Sequence, residues 1–363
     1  MRAPLMTLTA AALTLTMAAA YFFGDQWPLA RRLEGQLLDL RFQLRGVEVP
    51  HGDVALVVID EKSLQRYGRW PLSRRVYADL VNRLTAAQAR TIVFDLLFAE
   101  PELTLSPELR GTLTDLATVK GAAAQVAAIN DLLTRSTPDD QLAAAFRRAG
   151  NVIIPFSFKF ESAGAASSPG LPPSADGTAP DPKPWVFNIV GGQSVGSSID
   201  TQSVGMLAPL KVLSDAAAGV GHDASIFDND GSLRYDYAAG ALNGVPYPSL
   251  SVRAVAAYLG VSWANVQLNL GRSIVIGPLR IPLDEQNRII VNYLGPAGTF
   301  PSYALVDVLD GKVPPSAFAG KLILVGATGV GIADFIRTPF DEQLPGVERY
   351  AAIIDHILHG GAL

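Results

Sequence analysis

The chain has 363 residues, 49% of them hydrophobic and 17% charged, which is enough apolar material for one large folded domain or two ordinary ones. Its net charge of -5 offers no basic surface to a phosphate backbone, so we expect no nucleic-acid partner. The absence of cysteine excludes disulfides, thiolate catalysis and zinc–thiolate sites.

The chain begins with an apolar segment in which residues 3–24 carry no charge. Because roughly twenty apolar residues span a bilayer, residues 1–24 are predicted to form a membrane anchor. The small residues 18–20 also fit the cleavage site of a removable signal peptide, and a buried helix is a third alternative. In the first two cases the rest of the chain lies outside the cytoplasm.

The next elements predict a connecting helix and the start of an α/β domain. Residues 25–50 carry leucines at helical spacing, and we expect them to lead into a domain of residues 51–360. The β-branched run Val54–Ile59 predicts a buried strand, Ser73 an N-capped amphipathic helix, and Thr91–Leu97 a second strand. This order is typical of a βαβ unit with parallel strands.

The remainder continues the alternation of helices and strands. We expect a helical stretch of low specificity at residues 102–136 and a mobile surface loop at 161–184, which is rich in Ser, Ala, Gly and Pro. Further helices and strands are predicted at 137–150, 152–156, 249–259, 272–276, 280–283, 288–293, 322–325 and 347–358. The sequence therefore predicts an α/β fold with a largely parallel central sheet and an N-terminal membrane-spanning helix.

A glycine-rich turn follows the last predicted strand, with glycines at 326, 329 and 331. Their spacing is the reverse of the G-x-G-x-x-G dinucleotide loop, and no Gly-Lys-Ser/Thr follows the strand. The backbone amides of this turn would be able to bind an anion. The favoured interpretation is a tight turn where two backbones pack closely.

Polar residues follow the predicted parallel strands, at the edge where open α/β sheets bind ligands. The hypothetical ligand-binding set comprises Asp60, Ser63, Arg69, Arg74, Asp95, Glu100, Gly326, Thr328, Gly329, Gly331, Asp334 and Arg337. The alternative is that these residues are helix caps and ion pairs that hold the loops. No paired nucleophile accompanies the carboxylates, so no catalytic residue is assigned.

The sequence does not predict a metal or cofactor site. Asp228–Gly231 resembles the start of a calcium loop, but Ile226 and Tyr237 occupy positions where that motif needs acids, so a plain turn is expected. The four histidines show no metal-ligand spacing, and His356 and His359 fit better as cations near a helix C-terminus.

An ordered series of short segments resembles one known family. They include Asp39-Leu-Arg-Phe42, Val57-Val-Ile-Asp60, Gly68-Arg-Trp-Pro71, Ile92-Val-Phe-Asp95, Ala149-Gly150, Gly219-Val-Gly-His222, Pro248-Ser-Leu250, Val291-Asn-Tyr293, Asp307-Val-Leu309 and the terminal glycine loop. From about residue 30 to 358 the chain is similar to the CHASE domain of the second type, a sensory extracellular module associated with cyclases and histidine kinases. It departs from the family in the stretches 102–136 and 161–184, and at Asn287, where glycine is more usual.

The resemblance implies a periplasmic or extracellular input domain held in the cell inner membrane by one N-terminal span. Its output would be a cyclase, diguanylate cyclase or kinase, so the chain itself is not expected to be an enzyme. Expected partners are an unknown small-molecule or periplasmic ligand, the membrane and a second copy of the chain. The alternatives are an extracytoplasmic hydrolase acting at the acidic sheet edge and a structural protein-interaction module.

Overall fold

The computed structural model describes residues 28–102, 137–159, 186–190, 202–228 except 204, and 230–360, together with most of 111–134 and Thr14. The predicted membrane segment, residues 1–24 apart from Thr14, and the predicted loop 161–184 lie outside these residues. Within the described part of the chain, no helix combines the length and the apolar character needed to span a membrane.

Nine α-helices have both of their ends within the described residues. They are α1 (Pro28–Arg45), α2 (Glu61–Tyr67), α3 (Arg74–Ala86), α4 (Ala123–Thr134), α5 (Pro138–Ala149), α6 (Lys211–Ser214), α7 (Leu250–Leu259), α8 (Leu305–Leu309) and α9 (Gly346–His359). The predicted cap at Ser73 is confirmed, since its side chain accepts from the amide of Arg75; Thr137 caps α5 in the same way by accepting from the amide of Asp140. Of the predicted helical stretch 102–136, the last part forms α4.

The strands of the first half are β1 (Val54–Ile59), β2 (Thr91–Phe94), β3 (Val152–Lys159), β4 (Asn188–Ile189), β5 (Gln202–Ser203), β6 (Gly205–Leu207), β7 (Gly219–His222), β8 (Tyr235–Tyr237) and β9 (Ala239–Leu242). Those of the second half are β10 (Val245–Pro248), β11 (Gln267–Asn269), β12 (Ser273–Ile276), β13 (Leu279–Pro282), β14 (Arg288–Ile290), β15 (Ser302–Ala304), β16 (Leu322–Ala327), β17 (Phe335–Ile336) and β18 (Leu344–Pro345).

The central sheet is largely parallel, as predicted. Its order is β15-β1-β16-β2-β3, with β7 parallel and β6 antiparallel to β3. The strands β1 and β2 are parallel, but they are not neighbours, because β16 from the end of the chain inserts between them. This insertion fits the composition of β16, whose residues Leu322–Val325 are all buried and apolar, as in strands covered on both faces.

Two hydrophobic cores lie on opposite faces of this sheet. Alternate residues of β1 point to each of them: Leu56 belongs to the core that contains α7 and α9, and Val57 to the core that contains α3 and α5. The four-residue strand β2 is shorter than predicted, and Leu96 and Phe98 beyond it are buried in the core of α3 and α5.

Helix α1 is attached to the domain by one face. Phe42 is buried against the rings of Tyr293 and Phe340, and the guanidinium of Arg234 binds both carboxylate oxygens of Asp39, at 2.9 and 2.7 Å. The opposite face is exposed and apolar; it comprises Leu33, Leu37, Leu40 and Leu44. One helix therefore presents an ion-paired face to the domain and a leucine stripe to solvent.

The segment that resembled a calcium loop holds the same guanidinium. Asp228 and Asp230 each accept a hydrogen bond of 2.7 Å from Arg234, whose side chain is only 3% exposed. The amide of Gly231 closes the turn by donating to the carbonyl of Asp228. The prediction of a plain turn is confirmed, and its carboxylates neutralise a buried arginine.

The smaller sheets pack beside the central one. The strands β4, β11, β12 and β13 form one, β5, β9 and β10 another, while β8 pairs with β14 and β17 with β18.

Asn287, where the family more often has glycine, has a φ of 60° in the left-handed region. Its side-chain oxygen accepts from the amide of Gly271 at 2.8 Å, so asparagine adds a contact that glycine could not make.

Candidate ligand-binding site

The carboxyl-terminal edge of the central sheet brings together three aspartates from separate parts of the chain. Asp95 follows β2, Asp223 follows β7, and Asp334 lies in the loop after β16. The first turn of α9 contributes Arg349 and Tyr350. The charges of Arg349, Asp223 and Asp334 all act on the Asp95 carboxyl, so we call these five residues the acidic pocket.

Arg349 is the buried cation of the acidic pocket, with a side chain only 3% exposed. Its Nη1 lies 3.7 Å from Oδ1 of Asp236 in β8, and its guanidinium stacks 4.2 Å from the centre of the Tyr350 ring. Burial opposes its charge, but Tyr350, Asp236, Tyr293 and Asp95 together raise the pKa of Arg349 above its ordinary value.

The Nη1 atom of Arg349 has no hydrogen-bond partner among the described residues, and neither has Oδ2 of the equally buried Asp236. Leaving a buried charged donor without a partner costs about 1–3 kcal/mol or more. The charge of the nearby Asp236 carboxylate, 3.7 Å from Nη1, offsets part of this cost.

Two carboxyl groups of the pocket, those of Asp95 and Asp223, have pKa values raised toward neutral pH. Burial, with the charges of Asp223 and Asp334, raises the pKa of Asp95 to about 7 against the opposing effect of Arg349. Burial also raises the pKa of Asp223 to about 6, although a hydrogen bond from Ser157 opposes it. Asp95 and Asp223 are half-buried and Asp334 is exposed, so the group of carboxyls reaches the surface of the domain.

Neighbouring groups fix Asp223 in place. The Ser157 hydroxyl donates to its carboxylate at 2.7 Å, and the Tyr350 hydroxyl donates to its backbone carbonyl at 3.3 Å. The preceding residue, His222, is buried, and burial lowers its pKa to about 3, so the imidazole is neutral beside the pocket. Asp223 is therefore held by hydrogen bonds to Ser157 of β3 and to Tyr350 of α9.

Gly326 allows α9 to approach the sheet closely enough to form the pocket. A Cβ atom at this position would lie 2.6 Å from Cβ of Val347 in α9 and 3.4 Å from Cβ of Asp95. The amide of Gly346 then donates to the carbonyl of Asp334 at 2.8 Å, which joins the start of α9 to the glycine loop. This is the close packing that the favoured interpretation of the loop predicted.

The amides of the glycine loop are used within the protein. Thr328 and Gly329 both donate to the carbonyl of Ile59, at 3.0 and 3.1 Å, and Val330 donates to the Glu61 carboxylate at 2.7 Å. Gly331 has a φ of 83°, which closes the turn. These groups are not free to bind an anion, and the carboxylate of Glu61 would repel one, so the alternative of a phosphate-binding loop does not describe the structure.

The predicted residues Asp60 and Ser63 form a helix cap. The Asp60 carboxylate accepts from the amide and the hydroxyl of Ser63, at 2.9 and 2.6 Å, at the start of α2. The Ser63 oxygen accepts from the amide of Val306, which joins α2 to α8. For these two residues the structure shows the capping role that was the alternative.

Four further predicted residues lie apart from the acidic pocket's carboxylates. Arg74 is buried, where it binds Asp139 at 3.3 Å and its guanidinium lies over the ring of Phe98. Glu100 is exposed, and its backbone carbonyl accepts from Arg74. Both Arg69 and Arg337 are exposed, and the latter lies 3.9 Å from the carboxylate of Glu342.

Of the twelve predicted residues, the structure places Asp95 and Asp334 in the pocket, with Gly326 beside it. The sequence reasoning missed Asp223, Arg349 and Tyr350. Asp223 carried a usable signal, because it follows the short strand Gly219–His222 just as Asp95 follows β2. Arg349 carried another, since it is a cation among the buried apolar residues of α9.

Comparison with known families identifies the chain. A family model described as the CHASE2 domain matches residues 10–363, essentially its whole length. No curated protein and no solved structure matched. CHASE2 domains are extracellular sensory modules. The chain therefore belongs to the CHASE2 family of sensory domains.

Proposed function

We propose that this chain is the extracytoplasmic input domain of a transmembrane receptor and that the acidic pocket binds its ligand. The observation that carries the proposal is the convergence of the Asp95, Asp223 and Asp334 carboxyl groups around the single buried cation Arg349 at the edge of the sheet. The family supports a sensory role, and its usual receptors couple such a domain to a cyclase or kinase. The chain itself is then a receptor module and not an enzyme.

The charges of the pocket favour a small ligand with a cationic group. Its carboxyl groups, Asp95, Asp223 and Asp334, outnumber the single cation Arg349. A cation next to these groups would stabilise their ionised forms, so its binding would release protons near neutral pH. Affinity should therefore increase as the pH rises through the pKa values of about 6 and about 7.

In this proposal helix α9 passes the signal from the pocket toward the membrane. The first turn of α9 carries Arg349 and Tyr350 from the pocket, so a ligand that favours one position of this turn also favours one position of the helix. Residues 1–24, which precede α1, supply the single membrane span of this proposal. In the same arrangement, the domain faces the periplasm from the inner membrane.

The exposed face of α1 fits a second copy of the chain. Leu33, Leu37, Leu40 and Leu44 are spaced four, three and four residues apart, which is the seam of a two-stranded coiled coil. Two copies anchored in one membrane by the preceding segment run parallel. The homodimer then brings both α1 helices together above the membrane.

A thermal-shift panel on the full chain in detergent tests the ligand class. Small cations such as spermidine, ethanolamine and Ca²⁺ are compared with the anions succinate and phosphate at pH 8. We expect at least one cation to raise the melting temperature, whereas the anions leave it unchanged. Stabilisation by the anions alone, or by no cation, would contradict the proposed ligand class.

An extracytoplasmic hydrolase is the second candidate function, and one observation favours it. Asp95 and Asp223 have pKa values near neutrality, as carboxyl groups that exchange protons in catalysis do. The discriminating assay is hydrolysis of p-nitrophenyl phosphate and of an aryl glycoside. Turnover abolished by Asp95→Asn would establish the enzyme, and its absence with cation binding intact would support the sensor.

A further inference from the structure

A second group of ionisable side chains lies where the chain enters and leaves the domain. His51 and Asp53 belong to the segment between α1 and β1, while Asp355 and His359 belong to the last two turns of α9. Helix α9 has 14 residues and is roughly 20 Å long, so this group and the acidic pocket are at opposite ends of it. The sequence spacing of the histidines gave no sign of this cluster, because its two halves, residues 51–53 and 355–359, are about three hundred residues apart.

The four side chains are already arranged in contact. Nδ1 of His51 lies 2.9 Å from the Asp355 carboxylate, and Nε2 of His359 lies 2.8 Å from that of Asp53. The two imidazole rings stack with their centres 3.9 Å apart and their planes at 14°. The helix dipole accounts for a cation at His359, but it does not account for two stacked imidazole rings that each contact a separate carboxylate.

The ligand atoms have the proximity that a metal ion needs. One atom from each of His51, Asp355 and His359 lies within 4.8 Å of the others. The nitrogen and oxygen ligands of a tetrahedral Zn²⁺, at about 2.0–2.2 Å from the metal, are about 3.3–3.6 Å apart. A movement of about 1 Å closes this difference.

The two histidines are able to make this movement. The side chain of His51 is 52% exposed and that of His359 is 29% exposed, whereas Asp355 is buried at 2% and forms a fixed point. In metal sites a ligating imidazole commonly donates its second ring N–H to a carboxylate. The carboxylate of Asp53 already lies 2.8 Å from Nε2 of His359, where it would accept such a hydrogen bond.

We propose that His51, Asp355 and His359 bind one divalent transition ion, with Zn²⁺ as the test ion and Asp53 as the residue that orients His359. Imidazole and carboxylate ligands suit Zn²⁺, and imidazole disfavours Mg²⁺ and Ca²⁺. The ion would join the segment that leads into β1 to the end of α9. This site is independent of the acidic pocket and of the ligand proposed there.

Calorimetric titration of the full chain in detergent, after removal of metal with a chelator, tests the proposal. Wild type should bind one Zn²⁺ per chain and give no signal with Mg²⁺. His51→Ala and His359→Ala should each weaken binding by about tenfold or more. The matched control is His356→Ala, which removes a histidine from the same turn of α9 and should keep the wild-type affinity.

His51→Ala and His359→Ala change exposed or partly exposed side chains, and circular dichroism checks that the two variants remain folded. Asp53→Asn provides a further variant, with a smaller expected loss of affinity because it removes the orienting carboxylate only. Absence of Zn²⁺ binding to wild type would overturn the site. Binding that survives both histidine variants unchanged would overturn it as well, because the ion would then lie elsewhere.

Discussion

At the scale of single residues, Asp95 is expected to give the clearest dependence of folding stability on pH. Its pKa is about 7 in the folded protein and near 3.8 ordinarily, so between these pH values the folded state binds more protons than the unfolded chain. Stability should therefore fall as the pH rises from about 4 to about 7. The pKa is raised because the Asp95 carboxyl is buried and lies beside the charges of Asp223 and Asp334.

Asp95→Asn should remove this dependence, because the amide does not ionise. We expect the variant to be more stable than wild type at pH 8 by roughly 1 kcal/mol or more, with a smaller gain at pH 5. Urea denaturation at the two pH values measures the difference. Equal stability of the two proteins at both pH values would show that the Asp95 pKa is not raised.

At the scale of elements, the attachment of α1 depends on one arginine. Arg234 is the centre of a network with Asp39, Asp228 and Asp230, and its hydrogen bond lowers the pKa of Asp230. Arg234→Met leaves three carboxylates without their cation. Removing one partner from a buried ion pair costs about 3–5 kcal/mol, and the partial exposure of the aspartates reduces this figure.

We expect Arg234→Met to destabilise the domain by roughly 2 kcal/mol or more and to increase amide hydrogen exchange in α1 more than in the central sheet. Hydrogen exchange followed by mass spectrometry provides the measurement. The control is Arg337→Met, because this exposed arginine pairs with the exposed Glu342 at 3.9 Å. Unchanged exchange in α1 of the Arg234 variant would contradict the attachment.

The leucine stripe of α1 gives a second prediction at this scale. Since the chain has no cysteine, a single introduced cysteine reports on one position. Under mild oxidation in membranes, Leu40→Cys should form a disulfide-linked dimer, whereas Arg41→Cys, one residue off the stripe, should form far less. Equal cross-linking at both positions, or none at either, would contradict the proposed coiled coil.

The sequence predicted most elements of the fold and part of the site. Caps and apolar periodicity are local signals, which is why the helix after Ser73 and the strand Val54–Ile59 were found. The insertion of β16 between β1 and β2 depends on long-range pairing, which no local pattern encodes.

The contrast between local signals and long-range packing also explains which predicted residues lie in the acidic pocket. Asp60 and Asp95 both follow parallel strands, yet Asp60 is used by its own helix cap because Ser63 lies three residues away. Arg349 belongs to the pocket only because α9 folds back against the sheet at Gly326. Position relative to a strand end was therefore a sound guide to the edge, but not to which carboxyl group remains available there.

At the scale of the whole molecule, the two ends of α9 have different environments. Its first turn borders the acidic pocket, and its last turns contact the segment that leads from α1 into the domain. In the proposed receptor, a displacement of this one helix would link the pocket to the segment between α1 and β1. Such a link requires that the ligand binds the two positions of the helix with different affinity.

The central claim is that the acidic pocket binds a cationic ligand, and isothermal titration calorimetry tests it most directly. The cation that most stabilises the wild type in the panel is titrated into the full chain at pH 5 and pH 8, and into Asp95→Asn, Asp223→Asn and the control Asp60→Asn at pH 8. We predict tighter binding to wild type at pH 8 than at pH 5, at least about a tenfold loss in both pocket variants, and no loss in the Asp60 variant. Unchanged affinity in the two pocket variants, or an equal loss in Asp60→Asn, would contradict the assignment.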